Sequence, residues 1–294
     1  MLLEKSSVIF LYFCSSVLTT IVNKQLIYTY NFPHHYLLII IQSGIVTVFC
    51  LASIFLIKAK VKYSNIRHWL LTSIFLTLMI ISNMKSIFYF DVSLYTLYKN
   101  TSIILVALLE FYFFKKPIKI TGYFSFLLMI ISSWTADLSN TKNFYGCLWM
   151  LLNIFSTAAY VLYLKFIMIN IGTRIESVLF TNMLSIPLLT ICTFVFDDFQ
   201  QKIAVSPIII FCIILSSVFA FLTAFSTAWT LQIISSTAYC MLGALNKVLL
   251  SFFSIFYFNE SKNVVKIVSI FIGILGGFFY SYDSLKTIEN EIIN

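Results

Sequence analysis

Ten apolar stretches, each about 20 residues long, succeed one another along the 294-residue chain. As a helix, a stretch of this length crosses the roughly 30 Å of hydrocarbon in a bilayer. Hydrophobic residues make up 60% of the sequence and charged residues only 10%, whereas soluble domains carry about 25% charged residues. The sequence therefore predicts an all-α polytopic membrane protein with transmembrane helices over residues 6–28, 35–57, 69–90, 93–114, 118–136, 144–164, 174–196, 206–228, 233–257 and 264–282.

Basic residues are distributed unevenly between the two sets of loops. If the N-terminus is cytosolic, the loops on that side carry nine basic residues and the opposite loops carry four. Because positive charge concentrates on the cytosolic side of membrane proteins, both termini are predicted to be cytosolic. The net charge of +8 then reflects topology, and nucleic acid is excluded as a partner because no basic soluble domain is present. The nine residues are Lys58, Lys60, Lys62, Arg67, Lys115, Lys116, Lys119, Lys165 and Arg174.

Two intramembrane lysines suggest an internal repeat. Lys99 and Lys247 lie 148 positions apart, almost half of the chain length, each inside an apolar stretch. Ten spans then divide into two halves of five, residues 1–140 and 141–294, within a single transmembrane transporter domain. Because five is odd, equivalent halves inserted in succession have opposite orientations. The sequence thus predicts two inverted five-helix repeats, and transporters of this design bind substrate near the midplane where the repeats meet.

The same lysines indicate an anionic ligand. A cation at the centre of a membrane helix costs roughly 2.5 to 3.5 kcal/mol on insertion scales, so intramembrane lysines are predicted to be functional. Glu110 is the only acidic residue clearly within a span, which leaves surplus positive charge for a pyrophosphate-linked solute. Tyr95 and Tyr239 precede the two lysines by one and two helical turns, so each tyrosine can share a face with its lysine and stack on a base or sugar.

Metal-dependent and enzymatic classes fit the sequence poorly. Six cysteines fall in or beside spans without paired spacing, and three histidines lie at span ends. Membrane oxidases and desaturases require clustered histidines, and glycosyltransferases usually present paired acidic residues on a large exposed loop. Neither pattern is found, so we predict no catalytic residue, no metal, no cofactor and no enzymatic activity.

Four fragments carry a family resemblance: Asn23-Lys24, residues 94–105 (LYTLYKNTSIIL), residues 235–239 (SSTAY) and above all residues 243–247 (GALNK). They resemble the Golgi GDP-mannose transporters of the nucleotide-sugar transporter family, within the drug/metabolite transporter superfamily. The resemblance implies ten helices in two inverted halves and exchange of a cytosolic GDP-sugar for lumenal GMP. The residues predicted to bind substrate, from the lysines, their neighbours and this resemblance, are Tyr95, Lys99, Asn100, Thr181, Asn182, Thr227, Tyr239, Gly243, Asn246 and Lys247.

The seventh and eighth spans depart from the family pattern. The family usually carries a Phe-Tyr-Asn-Asn motif associated with guanine recognition, but residues 179–182 read Leu-Phe-Thr-Asn, which leaves only Asn182. A threonine hydroxyl reproduces only part of the donor and acceptor set of an amide. A small polar residue of the eighth span is replaced by Ala224, with Ser226 and Thr227 nearby. Guanine selectivity is therefore expected to be less strict, and a broader range of GDP-sugars or another base stays open.

The predicted mechanism is alternating access around one central site. The two lysines hold the phosphates, the two tyrosines and Asn246 orient the nucleotide sugar, and Asn182 with Thr181 contacts the base. An antiporter of UDP-sugars or of phosphorylated metabolites is the alternative within transport, and a membrane scaffold or receptor is the alternative outside it. The resemblance places the chain in the Golgi membrane, with the endoplasmic reticulum left open. Membrane lipids surround the protein, and a homodimer is left open.

Overall fold

The computed structural model describes residues 2–30, 32–58, 61, 66–90, 92–115, 120–137, 144–197, 206–244 and 246, together with positions 268, 271, 272, 275 and 276. Every regular element in these ranges is helical, and they contain no strand. In chain order the helices are α1 (Leu2–Lys24), continued by a π-helical turn over Gln25–Thr29, α2 (His35–Ile57), α3 (Ile66–Tyr89), α4 (Val92–Phe114), α5 (Ile120–Asp137), α6 (Phe144–Asn170), α7 (Arg174–Phe196) and α8 (Pro207–Ile233).

Six helical segments of the described chain are long and apolar enough to cross a membrane: Ser6–Ile27, His35–Ile57, Ile66–Tyr89, Phe144–Asn170, Arg174–Phe196 and Pro207–Ile233. The prediction of a polytopic helical membrane protein is confirmed. The fourth and fifth predicted spans form α4 and α5, and α4 contains the polar residues Lys99, Asn100 and Glu110. The ninth predicted span is described only as far as residue 246, and the tenth only at positions 268, 271, 272, 275 and 276, so ten helices in an inverted repeat remain a prediction.

The chain forms two compact units, and each takes segments from both predicted halves of the sequence. The first unit comprises Met1–Thr77 and Tyr163–Ile233, and the second comprises Leu78–Leu162 and Ile234–Asn294. In the first unit α1 packs on α8, while α2 packs on α7 and α8. In the second unit α4 packs on α5.

Polar side chains join helices within the apolar core of the first unit. Leu26 and Leu38 are fully or almost fully buried there against Ile209 of α8. Deeper along α2, Gln42 Nε2 donates to Asn23 Oδ1 of α1 at 2.6 Å and to Ser216 Oγ of α8 at 2.8 Å. Such interhelical bonds contribute about 0.6 kcal/mol each on average in membrane proteins, so this glutamine mainly specifies which helices associate.

Helix α6 is longer than the sequence predicts. The sequence analysis places Lys165 in a loop after residue 164, but α6 continues to Asn170 and buries Lys165 to 3% exposure. That loop assignment is wrong because the residues after Lys165 are apolar and extend the helix by more than a turn. The helix ends where the Gly172 N–H bonds the Ile167 carbonyl, and Thr173 then starts α7 through a reciprocal capping box with Glu176.

Gly172 packs against the indole ring of Trp69, so substituting Gly172 tests how tightly the connection between α6 and α7 is packed. A Cβ at position 172 would lie 2.5 Å from Trp69 Cζ2 and 2.7 Å from Trp69 Cη2. The indole cannot move aside easily, because Trp69 is fully buried and stacks on Phe180 with ring centroids 6.1 Å apart. We expect Gly172→Ala to destabilise the protein by about 1 to 3 kcal/mol, the typical cost of overpacking. The midpoint of thermal unfolding in detergent measures this.

Gly44→Ala provides the matched control. Gly44 lies inside α2 in the same unit, and a Cβ there would meet no atom within 4 Å. Alanine is favoured over glycine in a helix interior by up to about 1 kcal/mol, so the control variant should melt at or slightly above the wild-type temperature. Equal melting temperatures for Gly172→Ala and Gly44→Ala would show that the Trp69 ring can move to accommodate a methyl group at position 172 without loss of stability.

Candidate functional site

Three polar side chains meet inside the second unit. Tyr95 and Lys99 extend from α4 one turn apart, and Asn83 extends from α3. The Tyr95 hydroxyl donates to Asn83 Oδ1, while Lys99 Nζ donates to the Tyr95 hydroxyl oxygen at 2.9 Å and, more weakly, to Asn83 Oδ1 at 3.5 Å. Lys99 Nζ also lies 5.6 Å from the centroid of the Tyr95 ring. The prediction that Tyr95 and Lys99 share a helical face is confirmed.

Lys99 has no counter-charge among the described residues. Its side chain is half-buried, and its polar partners in the described chain are the two neutral oxygens of Tyr95 and Asn83. No described carboxylate pairs with it. Neutral acceptors fix the position of the ammonium group but leave its charge uncompensated, which favours binding of an anion.

The ring of Tyr95 is held by packing. It is 4% exposed and lies in an apolar cluster with Phe90, Met150 and Ile154, the last two from α6. This packing restricts the ring while its hydroxyl remains bonded to Asn83 and Lys99. Tyr95 is therefore a fixed support for the ammonium group.

One face of α4 packs against a helical segment formed by residues 236–244. Contacts at decreasing residue numbers on α4 are made with increasing residue numbers on the second segment. Glu110 bonds Ser236 and Thr237. Val106 belongs to an apolar cluster with Cys240, and Ile103 packs with Met241 and Ala244. The helices therefore run antiparallel. Lys99 lies one turn before Ile103 on the same face of α4, so continuing this register predicts that Lys99 lies at the level of Asn246.

Asn246 has an unsatisfied amide. The residue is 5% exposed, and neither Nδ2 nor Oδ1 has a hydrogen-bond partner in the described chain. Buried amides are nearly always hydrogen-bonded, because leaving one unpaired costs free energy. A ligand that both accepts and donates hydrogen bonds would satisfy the amide. Tyr239 and Gly243 lie on the same helical face, at spacings of seven and three residues from Asn246.

Two other residues that the sequence analysis predicts to bind substrate are Asn100 and Lys247. Asn100 is 4% exposed, but it forms no hydrogen bond with Tyr95 or Lys99, because adjacent helical residues point in different directions. Lys247, the second predicted phosphate ligand, lies outside the described residues. The candidate site in the second unit therefore contains Lys99, Tyr95 and Asn83, and the helical register predicts that the face bearing Asn246 lies opposite them.

Comparison with known proteins identifies the family. No protein-family model matches the chain. The GDP-mannose transporter of Meyerozyma guilliermondii is 31% identical over 304 residues, covering 95% of this chain and 85% of the relative. That of Scheffersomyces stipitis is 31% identical over 295 residues, covering 93% and 90%, and that of Kluyveromyces lactis is 30% identical over 302 residues, covering 95% and 90%. The chain belongs to the GDP-mannose transporter family.

A solved structure shares the fold of this member of the GDP-mannose transporter family. It is described only as the crystal structure of a protein, and it matches with a TM-score of 0.69 over 96% of this chain and 99% of the other. At 8% identity the similarity concerns the fold alone. The resemblance to GDP-mannose transporters noted in the sequence is confirmed by the relatives.

The remaining predicted residues of this family member lie in the first unit. Thr181 and Asn182 belong to α7 and Thr227 to α8. Thr181 is buried, and its hydroxyl donates to the Ser177 carbonyl of its own helix. Asn182 is half-buried and donates through Nδ2 to the Val178 carbonyl at 2.8 Å, which leaves its Oδ1 without a hydrogen bond among the described residues. Thr227 is 6% exposed.

Asn83 is the site residue that sequence reasoning missed. It is a polar residue inside an apolar span, with Ser82 before it and Ser86 three positions later. Intramembrane polar residues face the bundle interior as a rule, and that signal could have selected it. The described residues contain no group of three or more His, Cys, Asp or Glu side chains that could hold a metal ion. All six cysteines are free thiols.

Proposed function

We propose that the protein is an antiporter that exchanges cytosolic GDP-mannose, or a related GDP-sugar, for lumenal GMP by alternating access. It would act in the Golgi or endoplasmic reticulum membrane with both termini in the cytosol. The observation that carries the proposal is the half-buried ammonium of Lys99, which is held by two neutral oxygens in a protein whose relatives are named GDP-mannose transporters.

The roles of the site residues follow from their chemistry. Lys99, and Lys247 from the second repeat, would bind the phosphates, because a diphosphate replaces the water that the ammonium groups lose. Asn246 would satisfy its buried amide on the phosphate or sugar hydroxyls. Tyr239 would pack against the nucleotide, and Asn182 would offer its free Oδ1 to the N–H groups of guanine.

Exchange follows from the same charge argument. Reorientation of the empty carrier would move uncompensated lysines through the membrane interior, whereas a bound phosphate neutralises them. The second phosphate pKa of GMP is about 6, so GMP is close to doubly charged at neutral pH, as a GDP-sugar is. A loaded carrier would therefore carry nearly the same charge in both directions, which favours obligatory exchange.

Thermal unfolding of the purified protein with a panel of nucleotides tests the proposal. At 100 times its dissociation constant, a ligand that binds only the folded state stabilises it by about 2.7 kcal/mol. We expect GDP-mannose and GMP to raise the melting temperature, with UMP, UDP-sugars and triose phosphate giving smaller shifts. Liposomes loaded with GMP should then accumulate labelled GDP-mannose, and empty liposomes should not.

The other outcomes separate the alternatives. A larger response to UMP than to GMP would assign the protein to UDP-sugars, and a response confined to triose phosphate would assign it to phosphorylated metabolites. No response to any phosphate compound would exclude transport of these classes and favour a scaffold or receptor.

A further inference from the structure

Asn83 connects the two residues of α4 that form the cationic part of the site. Its Oδ1 accepts a hydrogen bond from the Tyr95 hydroxyl and a weaker one from Lys99 Nζ. Because the Tyr95 proton is given to Asn83, the lone pairs of the Tyr95 oxygen face Lys99 and accept its bond at 2.9 Å. The three groups form one directed chain in which lysine donates to tyrosine and tyrosine donates to asparagine.

The chain leaves part of the ammonium group available. A lysine ammonium has three N–H donors. Tyr95 accepts one and Asn83 accepts at most one more, so at least one N–H has no acceptor among the described residues and can bind a ligand. The half-buried position of Lys99 leaves that donor reachable.

The neutrality of Asn83 matters as much as its position. A carboxylate in the same place would also orient Lys99, but it would form an internal ion pair and cancel the charge that attracts an anion. Aspartate is nearly the same size as asparagine, so sterics do not explain the amide here. The amide provides an acceptor without providing a counter-charge.

We propose that Asn83 is a positioning residue for phosphate binding, which orients Lys99 through Tyr95 and keeps the ammonium charge free for the phosphate of a nucleotide. This inference rests on the proposed function. The chemical class of the ligand is a nucleoside phosphate, and the alternative role for Asn83 is simple packing of α3 against α4.

Asn83→Asp separates the two roles, because it should change stability and affinity in opposite directions. The new carboxylate gains an ion pair with Lys99, so the melting temperature of the empty protein should stay equal or rise. The apparent dissociation constant for GMP should increase about ten-fold or more, because the ligand now competes with an internal anion only a hydrogen bond away. If Asn83 only packs α3 against its neighbours, the GMP affinity of Asn83→Asp should change in the same direction as its melting temperature.

Asn83→Ala is the second variant and keeps the test decisive if the aspartate variant does not fold. It removes the acceptor without adding charge, so both the melting temperature and the GMP affinity should fall, the affinity by about three-fold to ten-fold, comparable to a lost hydrogen bond. Positioning predicts that GMP affinity decreases from wild type to Asn83→Ala to Asn83→Asp, whereas the melting temperature is lowest for Asn83→Ala. Wild-type affinity in Asn83→Ala would also overturn the proposal.

Asn153→Asp is the matched control for the added carboxylate. Asn153 lies in the same unit and is fully buried, but its Nδ2 donates to the Met79 carbonyl and to Ser82 Oγ and not to the Asn83, Tyr95 and Lys99 group. This variant should lower the melting temperature and weaken GMP binding much less than Asn83→Asp. An equal loss of affinity in both would mean that any buried negative charge acts in the same way, which contradicts a specific role for Asn83.

The response of the wild-type protein to nucleotides distinguishes failure of the proposed function from failure of the role proposed for Asn83. If neither GMP nor GDP-mannose stabilises it, the proposed function fails and the role of Asn83 fails with it. If GMP stabilises the wild type and Asn83→Asp equally, only the positioning role fails.

Discussion

Lys99→Met will strongly reduce exchange of GDP-mannose for GMP in proteoliposomes and leave the protein folded. Methionine retains most of the apolar stem but removes the ammonium, so the phosphate loses its partner in a partly desolvated site. Removing one member of such a charge pair costs about 2 to 5 kcal/mol, which corresponds to a loss of transport of roughly 30-fold to several thousand-fold. The initial rate of labelled GDP-mannose uptake into GMP-loaded liposomes measures the effect.

Stability should respond in the opposite sense. Lys99 has only neutral partners in the described chain, so its removal breaks no ion pair there and relieves the cost of a half-buried cation. The melting temperature of the empty Lys99→Met protein should therefore equal or exceed that of the wild type. A protein that is more stable and inactive is the pattern expected when a residue is retained for function at a cost in stability.

Lys115→Met is the matched control for the lysine substitution. Lys115 directly follows α4 and is exposed, and it adopts a left-handed backbone conformation with φ of 52°. The same change in charge at the end of the same helix should leave exchange close to the wild-type rate. Full exchange by Lys99→Met would remove the phosphate-binding role, and equal losses in both variants would point to a general effect of net charge.

Local spacing predicted part of the site correctly. Tyr95 and Lys99 are four residues apart in a strongly helical sequence, and such residues lie on one face whatever surrounds them. The prediction of a shared face required no tertiary information, and the bond of 2.9 Å between them confirms it. The apolar stretches likewise identified the described helices, because length and hydropathy determine which segments can cross a bilayer.

Contacts between different helices could not be predicted in this way. Asn83 lies on α3, 16 positions before Lys99 on α4, and the spacing rule that selects residues on one helical face does not reach across two helices. The sequence identifies Glu110 only as an acidic residue within a span, whereas its partners Ser236 and Thr237 lie 126 and 127 positions away. Ending the sixth span at residue 164 puts Lys165 in a loop, whereas the apolar residues on both sides of Lys165 are compatible with its burial inside α6.

Glu110 caps a helix to which it does not belong. The helical segment that carries Tyr239 and Asn246 begins at Ser236, and its first N–H groups have no partners within the helix. The Glu110 carboxylate accepts from Ser236 N at 2.9 Å, from Thr237 N at 3.0 Å and from Thr237 Oγ1 at 2.6 Å. The Ser235 hydroxyl accepts from Ala238 N at 3.1 Å, and Tyr239 N makes the first backbone bond to the Ser235 carbonyl.

Every N–H of that helix start is therefore satisfied, two of them by Glu110. The carboxylate is 3% exposed and also lies at the positive end of the helix dipole. Water cannot easily replace these bonds because the Glu110 carboxylate, Ser236 and Thr237 are all buried, and an unpaired buried backbone N–H costs free energy. The contact also connects α4, which bears Lys99, to the segment that bears Asn246, so it supports both parts of the candidate site.

We expect Glu110→Ala to give a large loss of stability, roughly 3 kcal/mol, because it leaves two buried N–H groups unpaired. The melting temperature in detergent should fall by about 5 to 10 °C. Glu110→Gln retains one acceptor oxygen but loses the charge, and it should show about half of the effect. Ser235→Ala removes the local cap of the same helix and should cost only about 1 kcal/mol.

The order of the three variants tests the capping role, because each removes a different number of bonds from one helix start. Glu110→Ala should also reduce the GMP-dependent rise in melting temperature, since the Asn246 segment would lose its attachment to α4, whereas Ser235→Ala should retain most of that rise. If Glu110→Ala melts at the same temperature as Ser235→Ala, the bonds from α4 contribute no more than a local cap. In that case the register between Lys99 and Asn246 must be maintained by the apolar contacts around Ile103 alone.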